Sequence, residues 1–88
     1  MSFPLHEEIA RLRVEFDQRS IHDHDIIKEL TLILGYSYLI ESDAQRRLVH
    51  DHLLILIDLL CARGHLDLSK RSLDILEMTA DARLRDAA

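Results

Sequence analysis

The chain has 88 residues, 48% of them hydrophobic, with a net charge of −5, one cysteine, two glycines and one proline. That length makes one domain, and so few turn-forming residues argue against a sheet protein and for mostly helix. The acidic balance argues against nucleic acid as a partner, which needs a basic face, and a lone cysteine excludes an internal disulfide.

The start, Met1 to Leu5, lacks the basic head and apolar core of a signal peptide, so a cytoplasmic location is expected. Pro4 sits where a first helical turn tolerates it, with Ser2 upstream as a cap, and Leu5, Ile9, Leu12 and Phe16 then share one face. On the other face Glu7 and Arg11, Arg11 and Glu15, Arg13 and Asp17, and Glu15 and Arg19 stand four apart. These charges form a solvated surface, each pair contributing only ~0.2 to 0.5 kcal/mol.

The apolar rhythm lapses between Gln18 and Asp25, where Ser20, Asp23 and Asp25 are candidate N-caps. A bend is expected there. The rival is one continuous helix from Leu5 to Ile40, since no Gly or Pro interrupts Leu5 to Leu34. From Ile26 to Glu41 the helical wheel carries two apolar faces. Ile26, Ile27, Leu30, Ile33 and Leu34 form the first, and Leu32, Tyr36 and Leu39 the second. One face serves the chain's own core, and the second calls for a partner, because monomers rarely leave large apolar patches open. Gly35 falls on the polar side, where it costs ~1 kcal/mol of helix stability and leaves room for close helix approach.

The most apolar stretch is Leu53 to Cys61, LLILIDLLC, broken only by Asp58. Leu53 to Ile57 would also suit a buried strand, but the flanks favour a helix. Ser42, Asp43, Ala44 and Gln45 open it like a capping box, and Gly64 supplies a left-handed stop. At about 100° per residue, Leu48, Val49, Leu53, Ile55, Leu56, Leu59 and Leu60 form a broad arc, which Leu54, Ile57 and Cys61 extend. Only a thin seam of Arg47, Asp51 and Asp58 is expected to reach water. The run is too short and too charged for a bilayer, which takes ~20 apolar residues. After Gly64, Asp67 or Ser69 is the expected cap of a last helix. Its expected core stripe is Ser69, Leu73, Leu76, Ala80 and Leu84, with Asp74, Glu77 and Asp81 outside and fraying beyond Leu84.

Six histidines include the clusters His22-Asp23-His24-Asp25 and His50-Asp51-His52. His22, His24 and Asp25, near a helix start, are the candidate metal ligands, and a histidine-rich metal-responsive protein is the alternative reading. The specific spacings, His-x3-His and Cys-x2-Cys, do not occur. His50 and His52 point ~200° apart on a helix and do not chelate one ion. A phosphotransfer helical domain would need a lysine and a glycine just after its histidine, and none of the six has both. Cys61 reads as a small buried hydrophobe. No catalytic motif emerges, and no cofactor is expected.

The C-terminal half resembles the small biofilm-development and two-component connector proteins of the YmgB/AriR type, all-helical bacterial proteins. The resemblance lies in Leu53 to Leu60, Leu73 to Ile75 and Thr79 to Asp81, an apolar run, an acidic turn and a closing Leu-Asp-Ile with Thr-Ala-Asp. Leu5 to Arg19 and the histidine clusters fall outside the family's pattern. The resemblance implies a homodimeric connector that binds signalling proteins or regulates transcription, with no catalytic residues.

The chain is thus expected to be an all-α four-helix bundle, completed by homodimerisation, acting without catalysis as a regulator or adaptor. Its expected interface comprises Leu32, Tyr36 and Leu39 of the second helix and Leu54 and Ile57 of the third. Its expected partners are itself and another protein, with no membrane. A dimeric DNA-binding regulator is the remaining alternative.

Overall fold

A computed structural model of the chain describes residues 5–38 and 42–87, with side chains described as far as Thr79. The expected start at Ser2 and Pro4, and the interface residue Leu39, lie outside the described residues. Four helices follow one another, α1 (Leu5–Gln18), α2 (His24–Tyr38), α3 (Asp43–Ala62) and α4 (Leu66–Ala87). Among the described residues there is no strand.

The bend is real and has a local cause. At the end of α1 the Ser20 N–H donates to Asp17 O and the Ile21 N–H to Phe16 O, with Ser20 at φ 55°. This pair of bonds is the Schellman closure, and the buried Ile21 and Phe16 supply its apolar contact. Asp23 then caps α2, its Oδ1 accepting from the Asp25 and Ile26 N–H groups. The α3 boundaries fall where the sequence puts them. Ser42 Oγ accepts from the Gln45 N–H, and Gly64, at φ 83°, ends the helix by the same closure, with His65 N–H donating to Leu60 O. Helix α4 begins at Leu66, so Asp67 stands inside its first turn and not at its cap, and the helix continues past Leu84 to Ala87.

The helices form an up-down-up-down ring in which α1 packs on α2, α2 on α3, α3 on α4, and α4 back on α1. Cross-helix contacts set the antiparallel order. His6 bonds Ser37 while Arg13 bonds Thr31, and Arg63 meets Asp25 while His52 meets Tyr36. Between α1 and α4, Arg19 pairs with Asp67 and Glu15 with Arg71.

Inside the ring, Leu5, Ile9, Leu12 and Phe16 meet Ile26, Leu30 and Ile33, Val49, Leu53, Leu56 and Leu60, and Leu68, Ile75 and Leu76. Each buried leucine stabilises the fold by ~1.5 to 3 kcal/mol. The stripe of α4 is broader than the expected one: Ser69 and Leu76 are buried as expected, Leu73 is exposed, and Leu68, Ser72, Ile75 and Thr79 are buried as well, while the side chains of Ala80 and Leu84 lie outside those described. Hydroxyl groups make this possible, because Ser72 Oγ donates to Leu68 O and Thr79 Oγ1 to Ile75 O, so neither enters the core unsatisfied. Gly35 faces open space, so among the described residues it serves no close helix approach.

Candidate interaction surface

Helix α3 touches only two neighbours, α2 and α4, and so keeps a broad outer arc open to water. That arc holds Arg47, Leu48, Asp51, Leu54, Ile55, Asp58, Cys61 and Ala62, all exposed. The thin polar seam expected from the sequence is therefore only its middle. Leu48, Leu54 and Ile55 flank the seam at 40%, 43% and 44% exposure. Cys61, expected to be buried, lies on the same arc with its Sγ 3.0 Å from Ser69 Oγ.

The two sides of the arc differ. Toward α2, Leu48 and Ile55 stand one turn either side of His52, whose Nδ1 lies 2.7 Å from Glu29 Oε2 and whose ring packs on Tyr36 at 5.4 Å. Leu32 is one turn before Tyr36, and both are half-buried. Toward α4, Leu54 stands three residues from Ile57, whose carbonyl accepts from Ser69 Oγ. Of the expected interface residues, Leu32 and Tyr36 thus border one flank of α3, and Leu54 and Ile57 the other. Tyr36 and Ile57 also pack against the chain's own core, and Leu54 alone is exposed. The sequence reading missed Leu48 and Ile55 as open positions. Their signal is their place beside the Arg47, Asp51 and Asp58 seam.

At the end of the bundle where α1 and α3 finish, charged side chains interlock. Arg63 Nε donates to Asp23 Oδ2 at 2.7 Å, and its Nη2 reaches Asp25 Oδ2 at 3.4 Å. Arg19 joins Asp67 at 2.5 Å and Glu15 at 2.9 Å. The Arg63 hydrogen bond holds the Asp23 carboxyl below the ordinary aspartate value, and the Arg19 hydrogen bond does the same for Asp67. This arrangement bears on the metal candidates: Asp25 and its neighbour Asp23 are turned onto a guanidinium, while His22 and His24 are exposed. Among the described residues no three His, Cys, Asp or Glu side chains converge in a way that would hold a metal ion. No helix among the described residues is long and apolar enough to cross a membrane.

Comparison with family profiles, with curated protein sequences and with solved structures gave no match to this chain.

Proposed function

We propose that this chain is a small non-enzymatic adaptor or regulator that works by binding protein, in the first place a second copy of itself. The observation that carries the reading is the outer arc of α3. Three large aliphatic side chains, Leu48, Leu54 and Ile55, stand open on α3, outside a core that among the described residues already holds fifteen buried hydrophobic residues. Aliphatic groups clustered on one exposed helix face favour a protein surface over water. The resemblance of Leu53 to Leu60 and Leu73 to Ile75 to dimeric bacterial connectors points to the same class, and a cytoplasmic setting goes with it.

Light scattering after gel filtration tests the reading. The expected mass at micromolar concentration is twice the 10.2 kDa of one chain. Changing Leu48 and Ile55 together to aspartate is expected to return a folded monomer with an unchanged helical circular dichroism spectrum. A stable monomer in the unmodified protein would overturn the proposal.

A further inference from the structure

The open arc of α3 also carries two opposite charges without partners. Neither Arg47 nor Asp58 makes an ion pair or hydrogen bond within the chain among the described residues, although most exposed arginines elsewhere are paired. They stand 11 positions apart in the sequence, about three helical turns and ~16 Å, nearly in line along the helix. Leu48 and Ile55 flank the line between them on the α2 side and Leu54 on the α4 side, with Asp51 near the line itself. An arginine at one end of this face and an aspartate at the other make the face complementary to itself when it is turned end for end.

We infer that two copies pair through α3 laid antiparallel on α3, each Arg47 on the second copy's Asp58, with Leu48, Leu54 and Ile55 of both copies enclosed. This rests on the proposed self-association and specifies its geometry. A twofold axis crosses α3 between Asp51 and Leu54, so each Asp51 faces the second copy's Leu54, and both charge pairs form at once. Pairing at the rim fixes register and orientation, while the enclosed aliphatic groups supply most of the attraction. Asp51, as near the axis as Leu54, lies close to its counterpart and is the one like-charge contact in this arrangement.

Charge reversal distinguishes this geometry from any other dimer. Arg47→Asp and Asp58→Arg are each expected to raise the dimer dissociation constant about tenfold, since each puts two like-charged contacts where two opposite ones stood. The doubly reversed chain is expected to recover it. Mixing the two singly reversed chains is expected to give mixed dimers in preference to either alone, because both contacts are then opposite in sign. Asp51→Asn is expected to tighten the dimer. If the unmodified protein is a dimer and single reversals leave its dissociation constant unchanged, or the double reversal fails to restore it, this pairing is wrong while self-association stands. A monomeric unmodified protein would overturn both. All these positions are exposed, and a matching thermal melt of each variant at a concentration below dissociation checks that folding is intact.

Discussion

The two glycines of this chain should respond to the same substitution with opposite signs. A methyl group built on Gly35 or Gly64 meets nothing within 4 Å, so steric fit decides neither case. Backbone conformation does. Gly35 lies within α2, where alanine restores helix propensity and removes freedom from the unfolded chain, a gain of about 0.5 to 1 kcal/mol. Gly64 sits at φ 83°, where a side chain meets the following carbonyl at a cost of about 1 to 2 kcal/mol. The unfolded-state gain offsets part of that loss, leaving about 1 kcal/mol of destabilisation. In a domain of this size 1 kcal/mol moves Tm by roughly 4 to 8 °C. Urea unfolding of Gly35→Ala and Gly64→Ala at one protein concentration, followed by circular dichroism, should thus show midpoints on opposite sides of the unmodified protein. Shifts of the same sign would refute the reasoning. A loss of dimer in Gly35→Ala would place that residue in the partner contact.

Ser20 holds the left-handed position that glycine usually fills, so Ser20→Gly should stabilise the chain by about 0.5 to 1 kcal/mol in the same urea assay. The pairs of Asp23 with Arg63 and Asp67 with Arg19 lower both carboxyls in the folded state. Their contribution is therefore complete above the ordinary aspartate value of 3.8 and lost as pH falls through the lowered folded values. Unfolding midpoints taken from about pH 6 to about pH 2 should fall across that window, and less steeply in Arg63→Gln.

Much of the fold was legible in the sequence because its local signals agree. In α1 the four residues chosen by periodicity are the four that are buried, and Ser42 and Gly64 bound α3 as their chemistry requires. The width of the open arc on α3 was not legible. Where a helix is apolar nearly all round, the pattern marks the centre of the outward face with Arg47, Asp51 and Asp58. The number of helices packed against it then decides how far that face extends. In α4 the rule that leucine goes inside misled, because Ser72 and Thr79 satisfy their hydroxyls on their own helix and so enter the core in place of Leu73. The partner of Asp23 and Asp25 was equally out of reach, since Arg63 lies about 40 residues further along the chain.

The ring of helices also dictates an order of assembly. Three of its four helix contacts join helices that are consecutive in the chain, so most of the structure rests on contacts of short sequence separation, as in fast-folding helical domains. Among the described helices, only α1 against α4 brings together elements far apart in sequence, and the ion pairs of Arg19 with Asp67 and Glu15 with Arg71 lie along that seam. Closing it spans the longest stretch of chain and so has the largest closure entropy, and it is expected to come last. Weakening it, by salt or by removing Arg19, should then accelerate unfolding far more than it slows folding.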